Sequence, residues 1–270
     1  MKKIVAFLLS FLLSMSCLAS LSSADATSKA PSTTMQCGQL FVDYSNLEHG
    51  TVKVAVLDPD DSLRYKLVVE HEEQVYYYNL DLETDDIIIP LQMGNGIYKL
   101  LLVEQVEDTI YHGGIGTAYF DLEIDDMEVW LQPNAKVDFS SPEELLKELK
   151  WVIAPWDLTE RDKFNSITEH MHETYGYDYI TFITRARTVK EYTDLNSLLK
   201  ERIALCEGLS AMTVAFLRLS GIPSRLVIGK FGGGTHAWVE AFIDDETILF
   251  DPSYPDYKEH LKQYHPIRYY

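Results

Sequence analysis

The stretch ALCEGLSAMTVAFLRLSGIPS, residues 204–224, constrains the fold more than any other part of this 270-residue chain. Leu209, Met212, Phe216 and Leu219 recur at helical spacing and define a buried face, and Gly221 before Ile222-Pro223 supplies the stop. A helix with that face has to lie against other elements, and it carries Cys206 in its first turn. There the backbone N–H groups are unpaired and the helix dipole is positive, which favours a thiolate over a thiol. Position alone does not make a nucleophile, because free cysteines are often merely buried.

The surroundings of this helix suggest two kinds of structure. Short runs rich in Val, Ile, Tyr and Leu (TVKVAVL, RYKLVVEH, VYYYNLDL, DDIIIPL and IYKLLLVEQV) occupy the region from about residue 38. Turn signals such as Asp58-Pro59-Asp60-Asp61 and Gly94-Asn95-Gly96 separate them, a pattern that predicts an antiparallel β-sandwich of immunoglobulin-like character over 38–138. The Tyr76-Tyr77-Tyr78 run reads as ordinary strand tyrosines. Helical signals begin at Ser141-Pro142-Glu143-Glu144, read as an N-cap serine, a proline at the first helical position and a capping-box glutamate. A second helix is expected from Thr159 to Tyr175, stopping at Gly176. The expected class is therefore α+β, with a second domain over 139–270.

Residues 1–24 read as a secretory signal. Lys2 and Lys3 precede an apolar run from Ile4 to Leu13, and Ser22-Ser23-Ala24 offers a cleavage site that puts the mature start near Asp25. Cys17 in LSMSC loosely resembles a lipidation site, but ordinary cleavage is favoured; either way the expectation is a protein secreted or at the cell surface. Residues 25–37 are small and polar, as in a tether. The formal charge of -19 disfavours nucleic acid as a partner and reads as a solvated surface. Cys37 and Cys206 are too few for a disulfide scaffold, although a bridge between them is conceivable in an oxidising compartment. The histidines, His71 and His112 among them, lack zinc-ligand spacing, so no metal or other cofactor is expected.

A cysteine nucleophile needs a base and a group to orient that base. In GGGTHAWVEAFI, His236 opens an alternating run that puts His236, Trp238, Glu240 and Phe242 on one face. The following strand, TILFDPSYP, ends in Asp251. If Ile243 to Glu246 form a four-residue hairpin loop, Asp251 falls opposite Trp238 and diagonal to His236, within side-chain reach; a tighter turn at Asp245-Glu246 would set it opposite Glu240 instead, too distant. Taken singly, His236 reads as a structural histidine and Asp251 before Pro252 as a turn residue. Together with Cys206 they read as a catalytic set.

The Cys206 motif with its Gly-Ile-Pro-x-Arg turn, followed by HAWVEAFI and ILFDPSYP, resembles the core of the transglutaminase-like superfamily of papain-like cysteine enzymes over roughly 160–260. The resemblance implies a cysteine helix packed on an antiparallel sheet that carries His236 and Asp251. It also implies a peptide or protein substrate, such as a cell-wall or surface protein, attacked through a thioester with peptidase or amidase action ahead of cross-linking. A non-catalytic surface binding protein is the rival reading. Relatives often carry a glycine shortly before the cysteine, whereas this chain has Arg202-Ile203-Ala204-Leu205, so no side chain is assigned to the oxyanion.

Overall fold

The computed structural model describes residues 33–80, 82, 87–107, 110–125, 127–154, 157–184 and 194–270. The leader with Cys17, the cleavage site and most of the 25–37 arm lie outside them. The chain is a mixed α/β protein with many antiparallel strands, divided into two compact units. One unit draws on Met1–Val42, Ala55–Asp85 and Gly96–Asp121; the other draws on Asp43–Val54, Asp86–Asn95 and Leu122–Tyr270.

The first unit contains β1 (Thr34–Cys37) and most of β2 (Leu40–Asp43), and is built around a four-stranded sheet. The strands of that sheet are β4 (Tyr65–His71), β5 (Gln74–Leu80), β7 (Gly96–Glu107) and β8 (Ile110–Leu122), in the order β5-β4-β7-β8; β3 (Thr51–Val56) and β6 (Ile87–Pro90) come between them in sequence. The central ladder pairs Leu67 with Leu102 and Val69 with Leu100, and all four are fully buried. Alternation decides the tyrosine run: Tyr76 and Tyr78 face inward, while Tyr77 is 51% exposed.

The second unit holds the helices. These are α1 (Glu143–Val152), α2 (Glu160–Thr174), α3 (Tyr179–Thr184), α4 (Leu195–Glu201) and α5 (Cys206–Leu219). A two-stranded parallel pair joins β9 (Gly176–Tyr177) to β10 (Ile203–Ala204). The main sheet consists of β11 (Ser224–Phe231), β12 (Gly234–Ile243), β13 (Glu246–Phe250) and β14 (His265–Tyr269), in the order β13-β12-β11-β14. A 3-10 helix over Tyr257–Gln263 precedes β14.

Helix α5 is the centre of this unit. One side lies on β11 and β12, and α1, α2 and α4 pack on the others. The expected single buried face is too narrow: every residue from Gly208 to Arg218 is buried, because the helix is enclosed by sheet and helices together. Even Arg218 is inside. It pairs with no carboxylate among the described residues and donates instead to the carbonyls of Ser224, Gln132 and Tyr270, and burial lowers its pKa to about 9. Gly221, at φ 86, ends the helix as the sequence suggests.

The expected serine cap on α1 is not formed. Pro142 occupies the cap position and no side chain caps the helix. The turn before it is closed one step earlier by Asp138, whose carboxylate accepts from the backbone N–H and hydroxyl of Ser140. Thr159 does cap α2, accepting from the Asp162 N–H at 3.1 Å. Both hairpins of the main sheet turn through paired positive φ values, Gly232-Gly233 between β11 and β12 and Asp244-Asp245 between β12 and β13. That is the twist-matched two-residue geometry.

At Gly229 on β11 a side chain has no room. A Cβ there would stand 2.3 Å from both the His265 carbonyl oxygen and the Trp238 ring, which is itself fully buried. Gly229→Ala should therefore cost about 2–3 kcal/mol, read as a lower urea midpoint with unchanged slope.

Candidate active site

Cys206 is the first residue of α5, and Leu205 at its N-cap position supplies no side-chain cap. The helix start thus offers free backbone N–H groups next to the sulfur. No disulfide joins Cys206 to Cys37: Cys37 is buried and Cys206 partly exposed.

The β12–β13 hairpin supplies the other two residues. Ile243 pairs with Glu246 and the ladder runs back to Val239 opposite Phe250, so Asp251, one residue further, lies across from Trp238. His236, two residues before Trp238 on the same face, reaches it diagonally. Its Nε2 is 2.6 Å from Asp251 Oδ2, with His236 16% exposed and Asp251 fully buried. The imidazole also hydrogen-bonds the Cys206 side chain, for which Nδ1 is the nitrogen left over.

The two oxygens of Asp251 have separate duties. Oδ1 accepts from the Ser253 N–H at 2.9 Å and the Ser253 hydroxyl at 2.7 Å, which is the turn role that Asp-Pro suggests. Oδ2 accepts from His236 and from the Tyr264 hydroxyl at 2.7 Å. His172 on α2 holds the backbone of the same residue through its carbonyl oxygen at 3.1 Å. Burial pushes the Asp251 pKa up, but the hydrogen bonds from His236, Ser253 and Tyr264 and the His236 charge outweigh it and hold the carboxyl below its usual range.

For His236, burial works against the charged ring. The hydrogen bonds to Asp251 and Cys206, together with their charges, win and raise its pKa to about 9. This contributes stability that is complete below the ordinary histidine value of 6.5 and is lost as pH rises through about 9. The arrangement is that of a base held by an acid next to a thiol, and it provides for proton exchange at Nδ1 and nucleophilic attack by sulfur. Among the described residues no three His, Cys, Asp or Glu side chains gather as metal ligands.

Three features of the site escape sequence reasoning. Tyr264 follows Asp251 by thirteen residues with no motif to mark it. Tyr177 faces Ala204 across the β9–β10 pair, and its phenol pKa is raised to about 12 by burial and by the charges of Cys206 and Asp251. The third is the approach to Cys206, where Arg202 takes a left-handed conformation at φ 57 that most side chains avoid. It is anchored by Glu148, whose Oε1 also accepts from His170 at 2.7 Å and from Tyr175 at 2.7 Å. The segment leading to the sulfur is therefore pinned by a charged cluster.

Burial would raise the Glu148 pKa, but its donors His170, Arg202 and Tyr175 hold it at about 2, from an ordinary 4.5. The depressed value contributes stability on the order of 2–3 kcal/mol, present above pH 4.5 and lost as pH falls towards 2. Glu148→Gln should lower unfolding free energy by about that amount at pH 7, and the gap to wild type should narrow to about half or less as urea melts are repeated down to pH 3.

Residues 150–252 match the family model of the transglutaminase-like superfamily, so the chain carries a transglutaminase-like domain there. The fold is similar to that of a candidate cysteine protease from Cytophaga hutchinsonii (16% identity, TM-score 0.45, covering 77% of this chain and 81% of that one). It is also similar to red sea bream transglutaminase (13% identity, TM-score 0.33, covering 80% and 48%). A further TGase structure matches at 22% identity and TM-score 0.38 over 44% of this chain, which spans 33% of that protein's length. No curated protein sequence matches the chain.

Proposed function

We propose that this chain is a cysteine-dependent acyl-transfer enzyme acting on amide bonds, and that water rather than an amine is its usual second substrate. The observation that carries the reading is the 2.6 Å contact from His236 Nε2 to Asp251 Oδ2, with the Cys206 side chain on the other side of the same ring. Cys206 is the nucleophile, His236 the base and then the acid, and Asp251 the group that orients the ring and steadies its charge.

In this mechanism the sulfur attacks the amide carbon with its proton already held at His236 Nδ1. The tetrahedral oxyanion is met by backbone N–H groups at the start of α5, that of Cys206 among them. As the C–N bond breaks, His236 returns the proton to the departing amine nitrogen, leaving a thioester on Cys206. Water then attacks with His236 as base, and the C–S bond breaks to release the acid, leaving the proton again at His236 Nδ1. Both Cys206 and His236 are partly exposed, so water has access to the thioester, which supports hydrolysis over cross-linking.

The reading places the enzyme outside the cytoplasm, on the strength of the leader-like segment from Lys2 to Ala24, with a peptide or protein such as a cell-wall or surface component as substrate. The β-rich part before Ser141 is assigned immunoglobulin-like character on its strand alternation and turn spacing.

The test is incubation of the full chain with peptide libraries, with and without a primary amine, and mass analysis of the products. Shortened peptides that vanish with Cys206→Ala are expected; amine-tagged products would make the enzyme a transamidase. Identical product profiles for wild type and Cys206→Ala would leave the domain as a binding scaffold.

A further inference from the structure

The carboxylate oxygen that holds the catalytic imidazole is shared. Oδ2 of Asp251 accepts from His236 Nε2 at 2.6 Å and from the Tyr264 hydroxyl at 2.7 Å. Tyr264 is fixed for this contact: it is 7% exposed, stacks on Phe231 with ring centres 4.3 Å apart and meets the edge of Trp238 at 5.1 Å. Oδ1 is occupied by both donors of Ser253. Four donors thus converge on one buried carboxylate, and only one of them is the imidazole.

A carboxylate with no other donor would concentrate its charge on the His236 bond and bind the ring proton tightly. That suits the formation of an imidazolium and opposes its later use as an acid, since the same proton must leave for the amine. We propose that Tyr264 is a positioning residue that tempers Asp251: its hydroxyl draws charge from the shared oxygen and leaves the imidazolium able to release its proton. The inference rests on the acyl-transfer reading above. Tyr264 touches neither substrate nor sulfur in this role and acts only through Asp251 and His236.

The other groups facing the pair do not do this. Cys206 on α5 meets the other side of the ring, and His172 on α2 bonds the Asp251 backbone oxygen, not its carboxylate. Tyr177 on β9 and Tyr257 on the 3-10 helix interact with Asp251 through charge alone, and Tyr254 interacts with Tyr264. Apart from His236, among the described residues only Ser253 joins Tyr264 in donating to the carboxylate.

The test follows alkylation of Cys206 by iodoacetate from pH 4 to 11 in the full chain, which needs no knowledge of the substrate. This anionic reagent is favoured by the imidazolium beside the sulfur, so its rate falls as His236 loses its proton, near pH 9 in the wild type. Tyr264→Phe keeps the stacked ring and removes only the hydroxyl. It should move the midpoint of that fall up by about half a pH unit, because the unshared carboxylate binds the ring proton more tightly. Ser253→Ala should shift it in the same direction by less. A midpoint that stays put or moves down in both variants overturns the proposal, since loosened packing would weaken the His236–Asp251 bond and lower the midpoint. A wild type whose sulfur alkylates like a free thiol, with no fall at high pH, overturns the acyl-transfer reading and this inference with it.

Discussion

A fully buried carboxylate is costly unless donors surround it, and the second unit of this protein is organised so that Asp251 has them. They come from β12, from the turn after β13 and from the segment before β14, while α2 ties down the backbone. Each contact depends on a different part of the unit being in place. Once the charge is secured, the rest follows: the imidazole is held in one orientation, its proton affinity rises, and its second nitrogen is directed at the sulfur.

The sulfur is fixed by an independent arrangement. Helix α5 is enclosed from Gly208 to Arg218, and its first residue, Cys206, emerges partly into solvent. The chain reaches that point through Arg202, in a strained conformation held by Glu148, and through the β9–β10 pair. The helix positions the sulfur, the hairpin positions the imidazole, and α5 lies on β11 and β12. The strain at Arg202 is offset by the Glu148 cluster, and the buried charge of Asp251 by its own donors.

What could be read from the sequence was local or periodic. The register that sets Asp251 across from Trp238 follows from counting back along two strands from a tight turn, and the Asp244-Asp245 loop realises it. The helix stop at Gly221 and the start of α2 near Thr159 were legible for the same reason. Features that need distant partners were not. Nothing near Tyr264 marks it as a partner of Asp251, and Glu148 stands far from Arg202 in sequence. The periodicity of α5 identified one buried face, but what covers its other sides is decided by the helices packed around it. At Ser141 the local signal was present but was pre-empted by Asp138, which closes the turn first. The turn reading of Asp251 does not compete with its contact to His236, because Oδ1 closes the turn and Oδ2 accepts from the imidazole.

The account depends on His236 being held as a cation by Asp251 and Cys206 together. The most direct measurement is a nitrogen NMR titration of the His236 ring in the full chain, with Asp251→Asn alongside. A midpoint near pH 9, falling towards 6.5 in the variant, is the result this structure predicts. A wild-type ring that already titrates near 6.5 would contradict it.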